Sequence, residues 1–335
     1  MKIVSTAALN PDQKRLIAAA AGEAEIVDRT CRTVEEISAL LEGGCDVLLT
    51  FRIPEDLVSR APTLKWVQLL SAGADHALKT NLAGTSIPVT TASGIHATPI
   101  AEYIIGSMLI WAHRFHVSIR AQEKHAWITS GRFMRSVSDL RGKTVGIVGY
   151  GSIGREAARI ADAMGMTVLA LKREPQNRSD DGWSPEGVGD PEGKIPQRFF
   201  GPDQRNELLA ASDFVVVTLP LTEATRGFIG RREFEAVKPG AYLVNIGRGG
   251  VVDEQAMIDA LREKRLGGAG LDVFEREPLG ADSALWDIEE VVLTPHMSGA
   301  NSSYMDRACE LFVENLGRFR NGERLLNLVD RALGY

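Results

Sequence analysis

Cysteine is scarce in this chain: three residues among 335, Cys31, Cys45 and Cys309, an odd number with no CxxC spacing. That excludes a disulfide framework and gives no sign of a structural zinc site, and it fits a reducing cytoplasm. Positive charge is not in surplus either, since the formal net charge is −6 and Lys and Arg are scattered. No stretch is suited to holding a phosphate backbone, so nucleic acid is not an expected partner. Long hydrophobic runs are also missing, the longest, Tyr103 to Ala112, being too short to cross a bilayer. Met1-Lys2 runs straight into Ile3-Val4, without the basic, apolar and small-residue succession of a signal peptide, so no membrane partner is expected. His113 and His116 lie one helical turn apart, but no carboxylate or cysteine is placed to complete a metal site. They read as helix-surface or dimer-contact residues, and no metal is expected.

What is present is ordinary globular material, 44% hydrophobic and 24% charged, long enough for two domains with separate cores. Up to about Thr91, short β-type runs (Lys2–Ser5, Asp46–Thr50, Trp66–Leu70, Val89–Thr91) alternate with helical patterns, an α/β signature. Two helix starts are legible: Pro11 after Asn10, and a capping box over Thr33-Val34-Glu35-Glu36. From Pro99 to about Ala121 a long helical pattern carries Ile100, Ile104, Met108, Trp111 and Phe115 near one stripe. A second α/β series follows, with apolar runs at Thr144–Val148, Thr167–Leu171, Phe214–Leu219, Ala241–Ile246, Gly268–Val273 and Val291–Thr294, which predicts a doubly wound parallel sheet. A last helix is expected from about Ser302 to Asn321. Glu174 to Gln204, rich in Asp, Gly, Pro and Ser, reads as a long loop. It is either a surface insertion or a lid in which Trp183 and Phe199-Phe200 cover a ligand.

Gly149-Tyr150-Gly151-Ser152-Ile153-Gly154 lies between the run Thr144–Val148 and a helical stretch, the setting in which such a motif binds a dinucleotide. Gly149 permits the tight turn, Gly151 lets the backbone approach a pyrophosphate, Gly154 lets helix and strand pack closely, and the helix N-terminus supplies donors. At the end of the next strand, where an NAD-binding protein usually presents an acid to the adenosine ribose, stand Lys172 and Arg173. These cations would attract a 2′-phosphate, so NADP(H) is expected in preference to NAD(H), which stays possible. Asp180 and Asp181, shortly after, are the acids that could reverse that preference.

Three further stretches each close a predicted strand: Val244 to Gly250 with Arg248, Gly270 to Pro278 with Asp272 and Glu277, and Leu293 to His296. Ligands of open α/β sheets bind outside the carboxyl ends of the strands, so these residues can converge beside a docked nicotinamide. In this order, behind the glycine loop, they resemble the D-isomer-specific 2-hydroxyacid dehydrogenases, relatives of glyoxylate, hydroxypyruvate and phosphoglycerate dehydrogenases, over about residues 45 to 325. The resemblance implies Arg248 as carboxylate anchor and carbonyl polariser, His296 as acid/base, Glu277 as the partner of His296, and Asp272 near the cofactor carboxamide. It adds Thr98, Leu219, Pro220, Thr225, Ile246 and Gly247 to the cofactor site. It also makes the backbone at Ser71, Ala72 and Gly73, within Leu69 to Asp75, a cradle for the substrate carboxylate. Physical chemistry agrees: a guanidinium grips a carboxylate with a bidentate fork, and an imidazolium delivers a proton to the alkoxide that hydride transfer creates.

The fold so implied is α/β, two Rossmann-like or flavodoxin-like doubly wound parallel-sheet domains with a cleft between them. Residues 1–98 plus 302–335 would form a discontinuous substrate-binding domain and 99–301 the dinucleotide-binding domain, through which a homodimer would form. The expected partner is a small 2-oxo or 2-hydroxy acid. Two other readings share the scaffold: a dinucleotide-sensing protein like the transcriptional corepressors, and a phosphite dehydrogenase. Formate oxidation is disfavoured, because formate dehydrogenases of this group carry glutamine where Glu277 stands.

Overall fold

A computed structural model describes residues 1–74 and 76–331 of the chain. It divides into two compact units: Met1–His96 with Asp181–Pro185 and the chain from Asn301 onward, and Ala97–Asp180 with Glu186–Ala300. Each is built on one parallel sheet.

In the first unit the strands are β1 (Lys2–Ser5), β2 (Glu25–Asp28), β3 (Val47–Thr50), β4 (Trp66–Leu69) and β5 (Val89–Thr90), in the order β2-β1-β3-β4-β5. All pairs are parallel. This is the flavodoxin-like order, whose reversal lies between β1 and β3. The inner strands β3 and β4 are buried throughout, whereas β2 at the edge is only half covered, and its two apolar residues between acids give no sequence signal. Both helix starts are capped: Asn10 Oδ1 accepts from the amides of Asp12 and Gln13 at 2.9 Å each, and in the expected capping box Thr33 Oγ1 accepts from Glu36 N at 3.3 Å. The helix Tyr304–Asn321 brings Phe312 and Phe319 to stack on the fully buried Trp66, with centroids 5.2 and 5.5 Å away.

The second unit contains β6 (Thr144–Val148), β7 (Thr167–Leu171), β8 (Arg198–Phe200), β9 (Phe214–Val217), β10 (Ala241–Asn245), β11 (Leu266–Leu271) and β12 (Val291–Leu293). Their order, β12-β11-β10-β9-β6-β7-β8, is the doubly wound Rossmann arrangement with one added strand. Its reversal falls between β6 and β9, so the turn after β6 opens onto the crevice where such sheets take ligands.

Three expectations need correction. The long helix predicted over Pro99 to Ala121 is two helices, Ala97–Ala112 and Phe115–Glu123, separated at Arg114, which takes a left-handed φ of 56°. Ile100, Ile104 and Met108 are buried, but Phe115 is 50% exposed, so the apolar stripe ends where there is no longer a sheet beneath it. His116 is not a surface residue: it is 6% exposed, stacked on Trp111 with centroids 5.4 Å apart, and its Nδ1 lies 3.2 Å from Ile110 O.

The third correction concerns Glu174 to Gln204, which is not a structureless loop. It ends in β8, paired with β7 through Leu169↔Arg198 and Leu171↔Phe200, and a short 3-10 turn follows at Pro202–Gln204. Its aromatic residues are core rather than lid. Phe200 is 2% exposed, Phe199 lies edge-on to Tyr150 at 5.4 Å, and Trp183 is 8% exposed within the core of the first unit. A three-residue edge strand behind a polar, glycine-rich run is too short to register as periodicity. Among the described residues no helix is long and apolar enough to cross a membrane.

Candidate active site

The turn after β6 is set by its glycines. Gly149 takes φ 109°, and a Cβ on Gly154 would stand 2.4 Å from Gly149 O, so helix and strand can approach only without side chains there. Thr218 at the end of β9 donates its hydroxyl to Gly149 O at 2.6 Å and braces the turn from the other side of the reversal. The helix Ser152–Ala163 starts from Gly151 with no side-chain cap, and nothing lies within 4 Å of the place a Cβ on Gly151 would occupy. Its first amides are therefore donors without a side-chain acceptor, the arrangement that receives phosphate. Ser152 and Ile153 are half-buried beside it.

Tyr150 turns its side chain inward. It is 3% exposed and donates its hydroxyl to Asp190 Oδ2 at 2.7 Å, and burial together with that carboxylate pushes its phenol well above the ordinary range. Lys172 and Arg173 follow β7 as expected, and Lys172 Nζ donates to Asn177 O at 2.6 Å and Ser179 O at 3.1 Å. Asp180 pairs with Arg155 at 3.1 Å, and Asp181 with Arg324 at 3.7 Å. After β9, Leu219 and Pro220 enter a self-braced loop in which Thr225 donates to Pro220 O at 2.6 Å and accepts from Thr222 N at 2.7 Å.

Arg248, Glu277 and His296 lie beyond the carboxyl ends of β10, β11 and β12, which are consecutive neighbours in the sheet. Ile246 is buried and Gly247 N donates to Asn245 Oδ1 at 3.2 Å, and the exposed Arg248 follows, its Nη1 donating to Gly247 O at 2.8 Å. Glu277 Oε2 stands 2.7 Å from His296 Nδ1, while its Oε1 accepts from Phe274 N at 3.1 Å. A carboxylate on Nδ1 assigns the ring proton to that nitrogen, leaving Nε2 for chemistry. His296 itself adopts a left-handed φ of 51°.

That conformation is held by Asp272, a bracing contact the sequence did not reveal. The side chain is wholly buried, and its two oxygens accept from Thr294 Oγ1 at 2.6 Å, Met297 N at 2.8 Å and Ser298 N at 2.9 Å, on both flanks of His296. Tyr103, on the helix Ala97–Ala112, lies 2.7 Å from Thr294 Oγ1, its phenol pushed up to about 12 by burial. The position that the resemblance sets near the cofactor carboxamide thus also binds three of the chain's own donors. The only signal was Thr294 standing two residues before His296.

In the first unit, Ser71, Ala72 and Gly73 follow β4 at the carboxyl edge of its sheet. Ser71 donates its hydroxyl to Gly73 O at 2.8 Å, and Tyr304 donates to Leu70 O. Asp75, the last residue of that stretch, lies outside the described residues. Thr98 is half-buried in the first turn of the helix Ala97–Ala112.

Residues 105–298 match the family described as D-isomer specific 2-hydroxyacid dehydrogenase, NAD binding domain. The chain belongs to this family. Glyoxylate reductase of Thermococcus gammatolerans is 33% identical over 90% of this chain and 85% of its own length. (S)-sulfolactate dehydrogenase of Chromohalobacter salexigens is 32% identical over 85% of this chain and 88% of its own. A crystal structure of the NADPH-dependent glyoxylate/hydroxypyruvate reductase of Sinorhizobium meliloti, in complex with NADP and sulfate, superposes with a TM-score of 0.77 at 28% identity, covering 100% of this chain and 99% of that one. This D-2-hydroxyacid dehydrogenase is accordingly an oxidoreductase of the CH–OH group, working between 2-hydroxy and 2-oxo acids.

Proposed function

We propose that the enzyme reduces a small 2-oxo acid of the glyoxylate or hydroxypyruvate kind to the D-2-hydroxy acid and prefers NADPH to NADH. The observation that carries this reading is the 2.7 Å contact of Glu277 with His296, on a strand end two neighbours away from that of Arg248. A nicotinamide dinucleotide suits the residues present: uncapped helix amides beyond Gly151 for the phosphates, and the cations Lys172 and Arg173 for a 2′-phosphate. When bound, it supplies the hydride.

The chain's own residues do the rest. Arg248 binds the substrate carboxylate and polarises the adjacent carbonyl. His296 delivers a proton from Nε2 to the developing alkoxide, and Glu277, on Nδ1, fixes the ring and stabilises the imidazolium before transfer. Residues 1–98 with 302–335 serve as the substrate-binding domain and 99–301 as the dinucleotide domain. A homodimer through the latter accounts for the exposed Phe115, Ile119, Trp127 and Met134.

Steady-state reduction of a panel of 2-oxo acids with each cofactor, followed by chiral analysis of the product, tests the reading. Turnover of glyoxylate or hydroxypyruvate with higher kcat/KM for NADPH supports it. An L-configured product from a substituted 2-oxo acid, or binding of cofactor without turnover of any 2-oxo acid, overturns it.

A further inference from the structure

The segment Glu174 to Gln204 is fastened to the dinucleotide helix by charged side chains that are almost completely buried. Arg155, 2% exposed, lies one residue beyond the glycine motif. Its Nη2 donates to Arg178 O at 2.7 Å, its Nη1 to Asp190 O, and its Nε stands 3.1 Å from the carboxylate of Asp180. The guanidinium also lies over the Tyr150 ring, 4.7 Å from the centroid. Glu156, 1% exposed, accepts from Gly189 N at 2.7 Å. Asp190 in turn accepts from Tyr150 Oη at 2.7 Å, Lys194 N at 2.9 Å and Ile195 N at 3.0 Å. Burying two charged groups and a carboxylate is costly unless their bonds are made, so these contacts hold the segment in one arrangement.

That arrangement matters at Lys172. Its ammonium is bound by the carbonyls of Asn177 and Ser179, and the residues that Arg155 grips, Arg178 and Asp180, alternate with those two along the chain. A lysine on a flexible stem loses rotamer entropy when it binds an anion. Here two protein carbonyls have already fixed its head, and the backbone carrying them is itself fixed by a buried guanidinium.

We propose that Arg155 is a cofactor-specificity positioning residue: through the 177–180 backbone it holds the Lys172 ammonium in place for the 2′-phosphate of NADP(H). The inference rests on the reading that Lys172 faces that phosphate. It assigns the insertion a task, preorganising the cation, and it makes Arg155 act only through Lys172 and only on the phosphorylated cofactor.

A double-mutant cycle on the full-length enzyme tests it, with dissociation constants for NADPH and NADH read by cofactor fluorescence. Arg155→Lys keeps the charge but loses the fork that spans two carbonyls. It should raise the NADPH dissociation constant about tenfold, the size of one charge-assisted hydrogen bond, and leave kcat at saturating NADPH unchanged. The NADH constant should move by less than about twofold, the usual limit for sites that do not interact. The double variant Arg155→Lys/Lys172→Ala should bind NADPH no more weakly than Lys172→Ala alone. Independent, multiplying effects, or equal weakening of both cofactors, overturn the proposal and make Arg155 a general brace. If Lys172→Ala leaves the ratio of the two constants unaltered, it is the reading of Lys172 that fails, and the proposal fails with it. Should Arg155→Lys not fold, Asp180→Asn, which loosens the same backbone from its half-exposed end, carries the same cycle.

Discussion

The carboxylate of Asp272 accepts the hydroxyl of Thr294 at 2.6 Å, two residues ahead of the histidine that faces Glu277. With Met297 N and Ser298 N on the same side chain, one buried carboxylate fixes the backbone on both sides of His296 and sustains its left-handed φ of 51°. A non-glycine residue in that region costs free energy and persists only where neighbours over-determine it.

Thr294→Val tests this anchor at its one side-chain donor. The substitution leaves Asp272 with two amide donors and removes the partner of Tyr103, so two bonds are lost, one of them to a buried carboxylate, and stability should fall by about 2–4 kcal/mol. Turnover should fall further than that loss explains, by about tenfold, because a catalytic group held loosely sacrifices orientation. Thermal unfolding beside steady-state kinetics separates the two. A destabilised variant with normal kcat would show that Asp272 holds the fold but not the histidine.

His296→Ala should reduce kcat by about a hundredfold or more while leaving cofactor affinity nearly intact, the usual weight of general-acid help. Glu277→Gln replaces a carboxylate with a neutral amide, which stabilises an imidazolium less. The kcat for reduction should therefore fall, by less than in His296→Ala, because the ring loses its charged partner 2.7 Å away. Steady-state rates at saturating substrate check this; an unchanged kcat would separate Glu277 from the proton transfer.

Arg248→Ala should weaken substrate binding and turnover together, because the same guanidinium is assigned to the carboxylate and the carbonyl. Arg248→Lys should recover only part of the loss, as an ammonium lacks the planar fork. Unaltered KM for a 2-oxo acid in both variants would place the anchor elsewhere.

Most strands of both sheets were legible because buried parallel strands read as apolar runs, and the glycine turn was legible because strand, motif and helix succeed one another. β2 and β8 were not. Each is a short edge strand, Glu25–Asp28 flanked by acids and Arg198–Phe200 behind a polar segment, with too few apolar residues to set a period. The candidate triad could be named because its residue types recur with fixed neighbours. The groups that support it could not: Tyr103 and Thr294 lie 191 residues apart, and only the fold brings such a pair together. His116 was misplaced for the same reason. A histidine on a helix is exposed or buried according to what packs on it, and here the ring of Trp111 does.

His116 carries a consequence for stability. Burial lowers its pKa below the ordinary 6.5, with the cations Arg114 and Arg120 acting in the same direction and the Ile110 carbonyl and Glu289 opposing. In the unfolded chain the imidazole gains its proton as pH falls through about 6.5, whereas in the folded chain it stays neutral to lower pH. Between those two values the unfolded state binds more protons, so stability rises with pH across the window and is lost as the solution is acidified through it. Above about 6.5 both states are neutral and the residue contributes no slope. His116→Phe keeps a flat ring for Trp111 while removing the titrating group, and should flatten the pH dependence of the unfolding midpoint below about pH 6.5. The same variant loses the contact to Ile110 O, which lowers the midpoint by a similar amount at every pH above the window. Thermal melts in buffers of matched ionic strength distinguish the two effects. A slope identical to that of the parent enzyme would mean that His116 titrates alike in the folded and unfolded chains.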